Sequence, residues 1–242
     1  MSVKKEKTIG GNQFAPVDNL PVLVEEFTLQ PEQAALMIID MQNFSSHPDH
    51  GWGPFLKKRY SHIADYYYPR LASQVIPNLQ RLIAFFRKHH LMVIYFTVGP
   101  YLPDGSDYLS ARKKASSADR APNLPAHGNK AHEILSSLRP EIGDLVLNKV
   151  SQGAFSSTGI DLILRNLNLD TLIITGVLTN SCVETTARQA VDLGYKSVLV
   201  GDATAAFDPG SHTASLRTFR ILLGQVLNAN QVIKQLSERM TG

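Results

Sequence analysis

The sequence predicts a single α/β domain: a doubly wound, mostly parallel six-stranded sheet with helices on both faces. Three observations predict it. Short apolar runs alternate along the chain with stretches of helical period, the succession expected of crossover units. The best of those runs are continuous rather than alternating, as in strands buried on both faces of a parallel sheet. A length of 242 residues suits one sizeable α/β domain, or at most two small ones.

Bulk composition narrows the function. Hydrophobic residues at 43% and charged ones at 19% are ordinary for a soluble globular chain. A net charge of +3 without a basic block gives no reason to expect nucleic acid. No apolar run approaches membrane-spanning length, so no membrane partner is expected. The basic start, MSVKKEKTIGGNQF, lacks the apolar core of a signal peptide. Cys182 is the only cysteine, so no internal disulfide forms and a reducing, cytoplasmic location is expected. No Cys/His cluster has zinc-ligand spacing, and His47, Asp49 and His50 lack a partner set, so no metal is expected. No phosphate-binding glycine pattern follows the first strand, so no nucleotide cofactor is expected either.

Residues 1–30 carry Gly10-Gly11, Pro16 and Pro21 without a period, and read as an irregular arm ahead of a domain over 31–242. Ala34 to Ile39 is an unbroken apolar run that ends in Asp40 and reads as a central strand. Residues 41–69 hold Phe44, Trp52, Phe55, Tyr60 and Tyr66 to Tyr68 among Pro48, Gly51, Gly53 and Pro54. This reads as a long aromatic loop, serving as pocket wall or lid, or else as packing at a helix or subunit interface. Val75, Leu79, Leu82, Ile83 and Phe86 form one stripe of a helix over 71–90, and Met92 to Phe96 is a second strand. A polar connection covers 99–125. After a turn at Glu141–Asp144, Leu145 to Leu147 is a third strand ending in Asn148-Lys149. Ile160 to Leu167 is a helix, and Leu172 to Ile174 a strand that Gly176 breaks. Val183, Ala187, Ala190 and Val191 then recur at helical spacing. Ser197 to Val200, a helix from Ser211 to Leu223, a short strand at Val226-Leu227 and a helix over 230–238 complete the fold.

In open parallel sheets ligands bind outside the carboxyl ends of the strands. Asp40, Lys149 and Cys182 each stand at such an end. Cys182 follows Thr179-Asn180-Ser181 at a strand-to-helix junction, where helix N–H groups would favour its thiolate. A lone cysteine is otherwise a small buried hydrophobe, and a lone Asp at a strand end often caps a turn.

At these positions the sequence resembles the isochorismatase-like cysteine hydrolases. The matching pieces are Ile38-Ile39-Asp40-Met41-Gln42-Asn43, Asn148-Lys149 with Gly153-Ala154-Phe155, and Thr175-Gly176-Val177-Leu178-Thr179-Asn180-Ser181-Cys182-Val183. Asp202-Ala203 also fits, and the resemblance covers about residues 30–225 in the family's order. It implies an isochorismatase-like, Rossmann-like fold and a catalytic set of Cys182, Asp40 and Lys149. It implies a cis peptide before Leu178, with the N–H groups of Leu178 and Cys182 forming an oxyanion hole. The intact set favours the family's amidohydrolase branch, which includes N-carbamoylsarcosine amidase, ureidoacrylate amidohydrolase and biuret hydrolase. The implied reaction cleaves a C–N bond of a small amide or ureide through a thioester, without a cofactor. The alternatives are vinyl-ether hydrolysis of the isochorismatase type and a reactive-thiol binding protein without turnover. Where nicotinamidases carry a metal-binding Asp-Trp-His stretch, this chain reads Thr97-Val98-Gly99-Pro100-Tyr101-Leu102-Pro103, which argues against that branch and its metal. Gln42, Asn43, Phe44, Phe155, Thr179 and Asn180 flank the strand ends and are the candidates to bind substrate. No arginine adjoins the motifs, so the expected substrate is small, polar and neutral or singly charged. The resemblance also suggests a homo-oligomer, dimer or tetramer, with the arm as a contact.

Overall fold

The computed structural model describes residues 21–109 and 122–240. Most of the arm, and the part of the 99–125 connection at 110–121, lie outside the described residues. Residues 21–30 carry no regular secondary structure. They are tied to the body by Leu23 N–H to the Ile221 carbonyl (2.9 Å) and Gln225 Nε2 to the Phe27 carbonyl (2.7 Å).

Six strands form one sheet: β1 (Ala34–Ile39), β2 (Met92–Val98), β3 (Leu145–Lys149), β4 (Thr171–Val177), β5 (Lys196–Ala205) and β6 (Gln225–Leu227). Their order is β3-β2-β1-β4-β5-β6, and every neighbouring pair is parallel. All six residues of β1 and all seven of β4 are buried, which is why their sequences are continuous apolar runs. Alternation still sorts the two faces. Leu36 and Ile38 join a core with Leu79, Leu82 and Phe86, whereas Ala35, Met37 and Ile39 join a second core with Leu164, Ala187 and Phe219. The chain winds outward in opposite directions from β1 and β4. Their carboxyl ends therefore flank the crevice where such sheets take ligands.

Residues 41–69 are not a loop. They form a one-turn helix α1 (Asn43–Ser46), then α2 (Trp52–Arg59) and α3 (Ser61–Arg70). Gly53 and Pro54 fall in the first turn of α2, where backbone N–H groups have no helical partner and proline costs little. Pro69 falls in the last turn of α3, and the ladder widens directly after it into a π turn, Leu71–Val75. The chain then continues as α4 (Ile76–Lys88), so the helix expected over 71–90 is the second half of a longer rod. The remaining helices are α5 (Ile160–Asn166), α6 (Glu184–Asp192), α7 (Pro209–Leu222) and α8 (Ala229–Met240).

Gly176 does not end its strand either. It has φ of 100°, pairs with Ile39 and Thr204, and marks a register shift between β4 and β5. A Cβ at this position would stand 2.1 Å from the Ile39 carbonyl oxygen. The glycine thus permits both a left-handed bulge and close approach to the end of β1 that carries Asp40. Gly176→Ala is expected to destabilise by more than about 1 kcal/mol. For a domain of this size that lowers Tm by at least about 2–4 °C, which calorimetry would measure. An unchanged Tm would show that the bulge tolerates a side chain.

Candidate active site

Asp40 follows β1 in a left-handed conformation, φ 53°, which Asp tolerates better than most residues. Three hydrogen bonds hold it there. Its N–H donates to the Phe96 carbonyl (2.9 Å), and its carbonyl accepts from Gln42 N–H (2.8 Å) and Ser45 Oγ (2.5 Å). Lys149 ends β3, separated from β1 by β2, where it stands beside Val98. Its Nζ reaches Asp40 Oδ2 at 2.9 Å and the Ser151 carbonyl at 3.1 Å. The lysine side chain is 0% exposed and the aspartate 4%.

Cys182 lies in a wide turn, Thr179–Val183, between β4 and α6. Asn180 and Ser181 have non-helical backbone angles, and the N–H groups of Ser181 and Val183 converge on the Leu178 carbonyl (3.0 and 3.2 Å). The Val177–Leu178 peptide is cis. Asp40, Leu178 and Cys182 all line one cavity of about 450 Å³, a size suited to a small ligand.

The electrostatics differ from the expectation of a ready thiolate. Burial, reinforced by the Asp40 charge, pushes the Cys182 thiol up to about 12, against the pull of Lys149. The regular helix begins at Glu184, two residues after the thiol. Burial also raises the Asp40 carboxyl, although Lys149 and the thiol oppose it. Burial pulls Lys149 down, but Asp40 and Cys182 outweigh it and hold the ammonium above its ordinary value. Asp40 Oδ1 is buried without a hydrogen-bond partner, yet the carboxylate is near enough to the thiol for each to shift the other. The resting arrangement therefore keeps the thiol neutral beside the buried Lys149–Asp40 pair.

Comparison with known proteins accords with this geometry. The Isochorismatase domain model matches residues 34–231. The chain belongs to the isochorismatase family. It is 31% identical over 234 residues to the ureidoacrylate amidohydrolase RutB of Cronobacter turicensis, covering 90% of this chain and 95% of that one. A cysteine hydrolase from Pseudomonas syringae pv. phaseolicola superposes with a TM-score of 0.75 at 25% identity, covering 91% of this chain and 99% of the other. N-carbamoylsarcosine amidase from Thermoplasma acidophilum gives 0.61 at 26% identity, covering 82% and 97%.

Within this isochorismatase-family hydrolase, the structure separates the six residues expected to bind substrate. Gln42 and Phe44 line the cavity. Gln42 is nonetheless committed to backbone: Nε2 donates to the His132 carbonyl (2.7 Å), and Oε1 accepts from Val98 N–H (2.9 Å). The other four do not line it. Asn43 bonds the Lys130 carbonyl (3.0 Å). Phe155 packs against Tyr195 within the second core. Thr179 is fully buried and bonds His212, and Asn180 is exposed to solvent. Adjacency in sequence misleads here because the wide turn fans successive side chains in different directions. Asp202 also stands apart, capping α8 through Ala229 N–H (2.8 Å). Among the described residues no group of three or more His, Cys, Asp or Glu is placed to hold a metal ion.

Sequence reasoning missed several supports of the site. Ser45 carries no motif, and its role depends on the turn at Asp40. His132 Nε2 donates to Asn148 Oδ1 (2.8 Å), whose Nδ2 donates to the Gly99 carbonyl (2.9 Å), joining the loops after β2 and β3. Behind the cysteine turn, Arg70 Nη2 donates to His212 Nε2 (3.0 Å). Arginine cannot accept, so the His212 proton sits on Nδ1 and is donated to Thr179 Oγ1 (2.9 Å).

His212 gives this hydrolase a pH signature. Burial, together with the Arg70 charge, pulls its pKa from 6.5 down to about 4. Between these values the unfolded chain binds a proton that the folded chain excludes. Its contribution to stability is therefore complete above pH 6.5 and lost as pH falls toward 4. Tm is expected to drop across that window, and the slope to be shallower in His212→Asn. Equal slopes for the two proteins in a thermal-melt series would refute the assignment.

Proposed function

We propose that this isochorismatase-family protein hydrolyses a C–N bond of a small amide or ureide through a thioester on Cys182. One observation carries the reading: on the cavity floor a thiol faces a buried carboxylate whose other oxygen is held by a buried ammonium. The names of its relatives, an amidohydrolase and an amidase, support the same bond type.

The reaction starts from the neutral thiol. Amide and ureide carbonyls are poor electrophiles, so the sulfur must be ionised as it attacks. Asp40 Oδ1 takes the thiol proton while Lys149 keeps Oδ2 engaged, and the Sγ–C bond forms. The oxyanion is met by the N–H groups of Leu178 and Cys182, each contributing about 2.7–4 kcal/mol by analogy with comparable donors. Asp40 returns the proton to the leaving nitrogen, and the C–N bond breaks to release ammonia or an amine. Asp40 then takes a proton from water, whose oxygen attacks the thioester carbonyl. Cleavage of the C–S bond expels the sulfur, which is reprotonated. Lys149 orients the carboxylate and balances its charge throughout.

The direct test is ammonia release from a panel of simple amides and ureides, with acyl-enzyme trapping by mass spectrometry. Cys182→Ala is expected to abolish both signals. Activity on a vinyl ether that survives in Cys182→Ala would instead place the protein with isochorismatase-type hydrolysis. Asp40→Asn separates reactivity from turnover. Without the neighbouring negative charge the thiol ionises more readily, so iodoacetamide should alkylate Cys182 faster at pH 8. Hydrolysis should meanwhile fall roughly 10²–10⁴-fold, the usual worth of a general base. Slower alkylation, or hydrolysis that persists, would contradict the shuttle role. A homo-oligomer is also proposed, on the family resemblance alone; light scattering that shows only monomer would remove it.

A further inference from the structure

The cavity is chemically divided. Its floor holds the thiol and the Asp40 carboxylate; one side is apolar, with Phe44, Trp52, Phe55, Leu56, Val98 and Phe207, and Asp104, Tyr108 and Asn123 bring polar groups to the rest. Trp52 is the hub of one wall, with ring centroids 5.4 Å from Phe44 and 5.2 Å from Phe207. Phe44 is buried, whereas Trp52 and Phe207 keep partly exposed rings. These edge-packed rings are fixed in place and offer a broad apolar seat.

The polar complement points the same way. Two carboxylates, Asp40 and Asp104, line the cavity, and no lysine, arginine or histidine among the described residues does. The Gln42 amide is engaged by backbone on both sides, and the Ser45 hydroxyl donates to the Asp40 carbonyl. Among the described residues a substrate carboxylate would thus find no cationic partner at the cavity floor, where it would stand beside the Asp40 carboxylate. A volume of about 450 Å³ also exceeds what a bare carboxamide fills.

We propose that the substrate carries, next to its amide or ureide carbonyl, an uncharged apolar group of ring size that seats on Trp52 and Phe207. This rests on the amidohydrolase reading for the carbonyl and on the cavity walls for the rest. It departs from the small, polar substrate expected from the motifs, because the residues adjacent to those motifs are not the ones that form the walls.

Trp52 is the only tryptophan in the chain, so its emission reports occupancy of the seat without any chemistry. In Cys182→Ala, titrations would compare 3-phenylpropanamide, propanamide and succinamate, which share one carboxamide and differ beyond it. The expected order of affinity is 3-phenylpropanamide, then propanamide, then succinamate, with the first and last at least about tenfold apart. Succinamate binding as tightly as the phenyl compound, or the phenyl compound binding no better than propanamide, would overturn the proposal. Adding Phe207→Ala should weaken the phenyl compound while leaving propanamide unchanged; equal weakening of both would also overturn it. If the wild-type protein binds in the expected order but releases no ammonia, the seat stands and the amidohydrolase reading falls.

Discussion

A lysine with no exposed surface stays charged only if fixed partners replace the water it has lost, and this constraint shapes the site. Lys149 has two, Asp40 Oδ2 and the Ser151 carbonyl. Such a pair is weak evidence for stability, since desolvation consumes most of the attraction between its members. Breaking it is another matter, at about 3–5 kcal/mol for the ion left behind. Its main consequence is geometric. With Oδ2 engaged, Oδ1 is left buried without a hydrogen-bond partner, and the strained turn at Asp40 is held in register by Ser45, Gln42 and Phe96.

The topology makes that pair possible. Asp40 ends the central strand β1, and Lys149 ends β3, with β2 between them. Only a long side chain spans that separation, and only at a strand end can it do so without displacing core residues. Cys182 arrives from β4, on the other side of β1. The close packing of β4 on β1 at Gly176 sets the distance between the two turns. A bulge in one strand and a salt bridge under another thus position the same few atoms. The low dielectric that strengthens the pair also raises the thiol, so thiol and carboxylate form one unit rather than two separately tuned groups.

Much of this was legible in the sequence, for a definite reason. Continuous apolar runs locate β1, β2 and β4 because both faces of each are buried, and the residue after each run falls at the ligand edge by geometry alone. Asp40 is legible that way; Lys149 closes the short run that begins at Leu145, and Cys182 follows the turn residues Thr179 to Ser181. The helices of 41–69 are hidden in the sequence because glycine and proline signal breaks, whereas Pro54 sits in a first turn where no hydrogen bond is lost. The ends of β4 and β5 were drawn short because a bulge interrupts the pattern without ending the strand. The cavity walls are the least legible. Phe207 and Trp52 are about 150 positions apart, and only the tertiary fold brings their rings together.

Several polar side chains in and behind the site are already bonded within the protein. Gln42 braces Val98 and the His132 loop, Asn148 braces His132 and Gly99, and Thr179 is bonded to His212. A buried polar group already satisfied by protein has little left to offer a ligand. In the proposed reaction, backbone N–H groups at the floor and the shape of the walls are what remain to orient the carbonyl group. The floor is built from strand ends and is tied to the sheet, while the walls come from α1, α2 and the segments after β2 and β5. Chemistry and selectivity therefore rest on different parts of the chain. Wall residues can be exchanged without disturbing the ion pair, and the choice of substrate can change while the bond-breaking apparatus stays the same.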